Sequence, residues 1–588
     1  MTSNSPAASL ADPFYYLTNF EFVLGWVTER HGDLLSDEEL AFLAEFAALP
    51  RASRALLVRM VMRRGEHFRT SKLVYPEISA EVSADTADRA ETGDSAASDP
   101  VEAALAPLVA AGLVEAAPAL SLETLFAQLR LPELRVALAE EVRAAGLPAS
   151  LGKGALFDAL APRRLEARPL AEWWPAAPDR VVHLTVMATC DLLRLMFFGN
   201  LRQDWSDFVL AELGVQRFER VPFSADSRAF RQREEVDAYL ALHRLRERLD
   251  AGEPASMLAA ELPPVPADNP WLSARRRRLA LALGRQAERD GEGERALGLY
   301  RQAGWPAEAG SAEARIRHLR LLERRGEHAE AHALSEALAE ALAGGSPGEA
   351  EAQALARLRP RLRRRLGLTP LPREAAPDPE RLALCLPRSS SVERAVGEHL
   401  ARDHAPVAYV ENTLLTGLFG LLCWEALFAP LPGAYFHPFH SGPADLYREG
   451  FVARRRDRFD TCLARLDDGL HRPAILATWR EKQGLANPFV HWGALDEALL
   501  SLSLDCLPAE HLRACFERLL GDLKANRAGL PDLIQFFPEA PAGEPRYRLI
   551  EVKGPGDRLQ DNQRRWLAFF REHGIPVAVC HVRWADPA

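Results

Sequence analysis

Two carboxylates and an ammonium fall within one stretch able to bring them together, Gly529–Trp566: GLPDLIQFFPEAPAGEPRYRLIEVKGPGDRLQDNQRRW. Leu533–Phe537 is a short apolar run opening directly after Pro531-Asp532, and Pro538–Pro545, with Gly543 inside, is a loop rich in breakers. Arg546–Lys553 then alternates, so that Ile550 and Val552 share one face of a strand while Glu551 and Lys553 share the other. On a strand, side chains at i and i+2 lie ~6.6–7 Å apart and point the same way. Glu551 and Lys553 are thereby aimed into one space, with Asp532 beside the neighbouring strand. Hard oxygens from Asp532 and Glu551 suit Mg²⁺ or Mn²⁺, which keep waters and share the phosphate oxygens of a substrate. A lysine beside such an ion can orient an attacking water and stabilise charge growing on phosphorus. Glu-X-Lys alone also describes a solvated pair on a surface strand; Pro-Asp at hairpin distance is what favours the chemical reading.

The elements that must position these residues begin near Arg381, after a Pro-rich linker at Pro370–Pro379. Tyr409–Phe428 (YVENTLLTGLFGLLCWEALF) reads as a helix apolar all round, hence buried. Glu411 falls on its first turn, where a buried carboxylate needs a partner or a metal. The rival reading is a solvent-facing carboxylate favoured by the helix dipole. Arg454, Arg455, Arg456 and Arg458 then form the densest basic patch near the proposed site. His404, His437 and His440 show no paired spacing suited to a metal-free histidine nucleophile.

Further upstream the chain is mostly helical. Pro13–Leu49 reads as helices with Ser36 as an N-cap. In SRALLVRMVMRRGEHFRTSKLVYPEI, Leu56, Leu57, Met60 and Val61 make a helical stripe followed by Arg63, Arg64, Arg69 and Lys72, before a strand-like Leu73-Val74-Tyr75. A helix leading into a basic hairpin is a winged-helix-like layout able to hold a DNA backbone; a solvated helix face is the plain alternative. Glu77–Pro100 is Ala, Ser, Asp and Glu with almost nothing large and apolar, which predicts a disordered acidic insert. Leu131–Leu160 holds two short helices around Gly146-Leu147, with stripes at Leu134/Leu138 and Leu156/Leu160 and Lys153 at the second helix start. This looks like a SAP motif, a helix–extended–helix binder of DNA backbone, with an ordinary helical hairpin as the alternative. ERDGEGERALGLY around Gly291 and ERRGEHAEAHAL around Gly326 repeat 35 residues apart, close to the ~34-residue tetratricopeptide period. Arg275–Arg278 and Arg357–Arg365 are the basic clusters of that region.

The whole chain narrows the function classes. Its 588 residues imply about three to five domains, and an apolar fraction of 48% is ample for packed cores. A net charge of −10 argues against binding polyanions through overall charge, so any nucleic-acid surface must be a local patch. Only five of the 72 Lys+Arg are lysine, at 72, 153, 482, 524 and 553. In an arginine-rich chain a lysine at 553 is less easily filler, being a compact charge with an adjustable pKa. Seven cysteines without a C-x₂₋₄-C pair leave neither a zinc finger nor a disulfide framework and point to a reducing, cytoplasmic compartment. The first residues carry no basic-plus-apolar signal, and the apolar run Thr413–Trp424, bracketed by Glu411 and Glu425, is too short to span a bilayer.

Pro-Asp, a spacer and Glu-X-Lys resemble the PD-(D/E)XK nucleases, and GLPDL…EVKGPGDRLQDNQ resembles the virus-type replication-repair nuclease (VRR-NUC) module. PFYYLTNFEFVL, LLVRMVMRRGEHFRTSKLVYPEI, the SAP-like pair, the repeat region, ENTLLTGLFGLLCWEALF and SGPADLYREGFVARR precede it in the order of the Fanconi-associated nuclease family, which the chain resembles over nearly its whole length. That resemblance implies a structure-specific DNA nuclease, a 5′ flap endonuclease and 5′–3′ exonuclease using Mg²⁺ or Mn²⁺, one or two per site, in interstrand crosslink repair. Its partners would be branched DNA: 5′ flaps, nicked or gapped duplex, and crosslinked DNA. By position Glu411, Asp532 and Glu551 match its metal ligands, with Val552 counted beside them, and Lys553 its catalytic lysine. Arg558 and Gln563 match cleft positions. Tyr16, Arg63, Arg64, Arg357 and Lys524 fall where DNA and 5′-phosphate contacts are expected, and Lys72, Lys153, Arg454 and Arg455 join them as basic candidates. The zinc ubiquitin-binding finger of animal members is absent, and Asn562 stands where a basic residue belongs to their phosphate pocket.

The fold expected is therefore multidomain and predominantly α. It comprises a winged-helix-like region (1–120, with the insert at 77–100), a SAP-like motif (121–168), tetratricopeptide (TPR)-like helices (169–370) and a C-terminal α/β nuclease domain of PD-(D/E)XK type (371–588). A sequence-specific restriction-type endonuclease and a catalytically inactive helical DNA-binding scaffold are the rival functions.

Overall fold

A computed structural model describes residues 12–585 except 91–98, 149, 204, 206–216, 267, 307–309, 344–347, 371–378 and 449. The chain divides into two compact units, Met1–Gln216 and Arg217–Ala588. No helix among the described residues is long and apolar enough to cross a membrane.

The first unit opens with helices Tyr15–His31, Asp37–Ala48 and Arg51–Val61. Ser36 starts the second through a reciprocal capping box: its hydroxyl accepts from the Glu39 N–H, and the Glu39 carboxylate accepts from the Ser36 N–H at 2.8 Å. The third buries the stripe Leu56, Leu57, Met60 and Val61. A small antiparallel sheet follows, with β1 (His67–Arg69), β2 (Val114–Glu115) and β3 (Val181–Leu184) in the order β1-β3-β2.

Two expectations fail here. The strand lies at 67–69, where β3 supplies its partner, and not at Leu73-Val74-Tyr75, which leads instead into a helix beginning at Pro76. Proline fits the first helical turn because the N–H it lacks would be unpaired there anyway. The segment read as disordered from 77 to 100 is helical over Pro76–Ala90, and Pro100–Ala110 is a second helix; 91–98 lie outside the described residues. Ile78 and Val82, four apart and both buried, anchor one face of the first of these helices. Downstream, helices Leu131–Ala137, Ala139–Ala144 and Lys153–Leu160 gather Leu134, Leu138, Leu156 and Leu160 into one core.

In the second unit, helices Pro270–Arg289 and Gly293–Gly304 pack as one pair, and Ala312–Arg325 and His328–Ala343 as another. Gly291 and Gly326, the two glycines of the internal repeat, supply the left-handed turn inside each pair (φ +80° and +84°). A buried Arg315–Glu351 ion pair (2.6 Å) ties the second pair to helix Glu349–Arg365.

Five strands form the sheet of the last module: β4 (Glu380–Leu386), β5 (Val407–Tyr409), β6 (Leu533–Phe536), β7 (Tyr547–Lys553) and β8 (Val577–Trp584). Their order is β4-β8-β7-β6-β5, parallel across β4-β8-β7 and antiparallel across β7-β6-β5. Ile550 and Val552 join Leu533, Val396 and Val582 in a core on one face. Leu549 belongs to the larger core on the other, built around helices Leu414–Leu422, Ala509–Gly521 and Asp561–Glu572. The expected helix from Tyr409 does not form: Val407–Tyr409 is the edge strand, and the helix starts at Leu414. Pairing of Tyr409 with Leu533 decides this, because a backbone committed to the ladder cannot also begin a helix.

Candidate active site

The antiparallel pairing of β6 with β7 sets Leu533 opposite Ile550, which places Asp532, one residue before β6, level with the end of β7. Asp532 is locked there twice. Its Oδ2 accepts the Val552 N–H at 2.7 Å, and its carbonyl accepts the Val410 N–H at 2.8 Å. The loop that delivers it needs glycine at 529. That residue has φ +88°, and a Cβ there would stand 2.7 Å from Asn562 Cγ.

Asp532 is 8% exposed, Glu551 1% and Lys553 8%. The Lys553 ammonium donates to Glu551 Oε1 at 2.7 Å, and the same oxygen accepts from Gln563 Nε2 at 2.6 Å. Gln563 stands near the start of helix Asp561–Glu572, where its own Oε1 accepts from the Gln560 N–H as part of a capping box. Burial pushes the Asp532 carboxyl up to about 6, against the Val552 N–H, which stabilises its anion; the charge on Glu411 raises it further. Glu551 is pushed up to about 7, first by burial and next by the charge on Asp532, with Lys553 opposing.

Glu411 lies in the turn between β5 and helix Leu414–Leu422, not on a helix. Its Oε2 accepts from the Tyr409 hydroxyl at 2.5 Å and its Oε1 from Asn412 Nδ2 at 3.2 Å. It is close enough to raise both other carboxyls. No three His, Cys, Asp or Glu side chains among the described residues close into a single ligand set. What is offered to a divalent cation is a pair of buried hard oxygens with a third carboxylate in electrostatic reach. The chemistry of that donor set fits Mg²⁺ or Mn²⁺, since like charges crowded out of water favour a cation among them. Val552 can contribute only through its backbone, its side chain being buried in the apolar core.

Comparison with known proteins separates the rival readings. Residues 467–584 match the VRR-NUC domain model, 14–90 the FAN1 HTH domain and 119–173 the Fanconi anemia-associated nuclease SAP domain. The Fanconi-associated nuclease 1 homolog of Pseudomonas aeruginosa is 52% identical over 584 residues, covering 99% of this chain and 97% of that protein. The chain belongs to the Fanconi-associated nuclease 1 family. The human Fanconi-associated nuclease 1 is 31% identical over 177 residues, 29% of this chain and 17% of the human protein. Two crystal structures of paFAN1, bound to 5′ flap DNA of 2 nt and of 1 nt with a gap, superpose with TM-scores of 0.80 and 0.79 at 51% identity. They cover 99% and 98% of this chain and 100% of those chains.

As a Fanconi-associated nuclease the chain is a multidomain, mostly helical structure-specific DNA nuclease with HTH, SAP and VRR-NUC domains. The basic candidates divide by exposure. Arg64, Lys72, Lys153, Lys524 and Arg558 are exposed. Arg63 is exposed too, its guanidinium donating to the Lys72 carbonyl at 2.9 Å. Lys153 donates to the Leu129 carbonyl at 2.9 Å, and Arg357 pairs with Asp561 at 2.8 Å.

Others are corrected. Tyr16 is 1% exposed, with its hydroxyl on Glu77 and Arg59 stacked 3.9 Å over its ring, so it builds the first unit's core rather than facing a ligand. Arg455 is 1% exposed and bonded to both Asp445 oxygens, whereas Arg454 stays exposed while donating to Asp445 Oδ2 at 2.9 Å. Of this patch only Arg455 is withdrawn into the core; Arg454, Arg456 and Arg458 remain exposed. Arg69 is likewise buried between Asp179 and Glu133. The sequence reading missed Tyr409 and Asn412; the asparagine following Glu411, a residue type that tolerates the left-handed region, was the available signal.

Proposed function

We propose that this chain hydrolyses phosphodiesters at 5′ flaps and 5′ ends of branched or gapped DNA, using Mg²⁺ or Mn²⁺, in the repair of interstrand crosslinks. The observation that carries it is the burial of Asp532, just ahead of β6, beside Glu551 on the adjoining β7, with Lys553 bonded to Glu551. The likeness to paFAN1 bound to 5′ flap DNA with a gap supports the substrate class. Asp532, Glu551, Glu411 and the Val552 carbonyl would hold the cation, which when bound supplies an activated water and neutralises charge on the leaving oxygen.

The chain's own groups do the rest. Gln563 fixes the rotamer of Glu551. Lys553, short of water and held by one carboxylate oxygen, presents its remaining N–H donors to phosphate oxygen as charge grows there. Arg558, exposed on the turn after β7, is placed to meet a backbone phosphate. Winged-helix-like, SAP-like and TPR-like regions, divided at 1–120, 121–168 and 169–370, grip duplex through phosphate contacts that carry little sequence information. The remaining residues, 371–588, cut.

The test is cleavage of a 5′-labelled flap compared with nicked and plain duplex, with and without EDTA. Cleavage should be chelator-sensitive, fastest on the flap and lost in Asp532→Ala, Glu551→Ala and Lys553→Ala, with DNA binding retained. Retained cleavage in Asp532→Ala removes the site; equal rates on plain duplex at one sequence indicate a restriction-type enzyme instead.

A further inference from the structure

Glu411, like Asp532, is carried by neither a strand nor a helix, and unlike Asp532 it does not adjoin a strand of the ladder, so other contacts must fix it. Its neighbour Asn412 has φ +51°, and among the described residues only Arg164 is another non-glycine residue with positive φ. Asparagine occupies that region because its short amide can bond locally. Here the amide bonds in two directions. Nδ2 donates to Glu411 Oε1 at 3.2 Å, and Oδ1 accepts from the Leu530 N–H at 3.2 Å. Leu530 stands two residues before Asp532. The Thr416 hydroxyl donates to the Asn412 carbonyl at 2.8 Å, which pins the turn to the buried helix behind it. One side chain therefore touches a candidate ligand and the loop that ends in another.

We propose that Asn412 is a positioning residue for cation binding: it sets Glu411 against the Gly529–Asp532 loop so that an incoming divalent ion meets three carboxylates. This rests on the metal-nuclease reading of the site. The Tyr409 hydroxyl holds the other Glu411 oxygen and is 57% exposed as a residue, so water competes for that bond. The amide is the internal tether, and it leaves Oε2 to turn toward the ion. Removal of a partner that orients a ligand weakens metal affinity by roughly 10–100-fold.

Asn412→Gly removes both bonds while accepting the positive φ without strain. Mn²⁺ affinity of the full chain, measured without DNA by titration calorimetry, should fall by about tenfold or more. The metal-free melting temperature should stay within a few degrees, and flap cleavage should recover as Mn²⁺ is raised. In a Glu411→Gln background the same change should have no further effect on affinity, a result that a merely structural role would not give. Asn412→Ser, too short to span both partners, supplies the same reading should the glycine variant fail to fold. Wild-type Mn²⁺ affinity in Asn412→Gly, or an equal loss in the Glu411→Gln background, overturns the proposal. Asp532→Asn is measured alongside: if it too leaves Mn²⁺ binding unchanged, the metal-site reading falls as well, whereas a loss there with none at Asn412 removes the positioning role alone.

Discussion

Burial holds the Asp532 carboxyl up at about 6 and that of Glu551 up at about 7, so both favour the protonated form more strongly than they would in an unfolded chain. A carboxylate raised in this way contributes stability that is full below the unfolded value near 4 and is lost as pH climbs through 6 and 7. The metal-free protein should therefore melt lower at pH 8 than at pH 5, an effect on the order of 1–1.5 kcal/mol from Asp532 alone, part of its contribution being already lost by pH 5. Asp532→Asn, which keeps an acceptor for the Val552 N–H, should flatten that pH dependence and raise the melting temperature in EDTA at pH 8. It should also abolish cleavage, which thermal melts and a flap assay on one preparation check together. Arg455 makes a contrasting case. Breaking its buried pair with Asp445 by Arg455→Ala should destabilise by about 3–5 kcal/mol, read by urea titration, rather than weaken DNA binding in a protein that remains folded.

At the scale of elements, the hairpin β6–β7 was legible because alternation and breakers are local signals: Ile550 and Val552 face one core and Glu551 the other side. The stripe Leu56–Val61 and the cap at Ser36 were legible for the same reason. What failed was non-local. β1 exists because β3, more than a hundred residues later, pairs with it, and β5 because Tyr409 pairs with Leu533; no window of sequence contains either partner. Ile78 and Val82 form too thin a stripe to overrule an acidic composition until the core they pack against is known. Gly529 joins two elements, the Asp532 loop and helix Asp561–Glu572, through its contact with Asn562. Gly529→Ala should destabilise by more than about 1 kcal/mol from its positive φ alone and reduce cleavage by displacing Asp532. Adding Asn562→Gly, which removes the Cβ met at 2.9 Å as well as the amide, should relieve the steric part and restore some activity, as comparison of the single and double variants in the flap assay will show.

For the molecule as a whole, a net charge of −10 means that grip on DNA must come from selected exposed cations. Exposure narrows the candidates in a way that sequence could not. Arg63, Arg64 and Lys72 cluster at the end of helix Arg51–Val61 and remain exposed, while Arg69, three residues before Lys72, is consumed by Asp179 and Glu133. Each lost phosphate contact should reduce the slope of log affinity against log salt by about 0.9. Arg64→Ala and Lys72→Ala should each show that change with unaltered stability, and Arg69→Ala a stability loss instead, by fluorescence anisotropy and thermal melting. The central claim is narrower than any of these: a divalent cation sits between Asp532 and Glu551. Anomalous scattering from crystals of the chain with flap DNA and Mn²⁺ tests it most directly. A peak is expected within bonding distance of both carboxylates, with Lys553 alongside; well-ordered carboxylates with no anomalous peak between them would rule the site out.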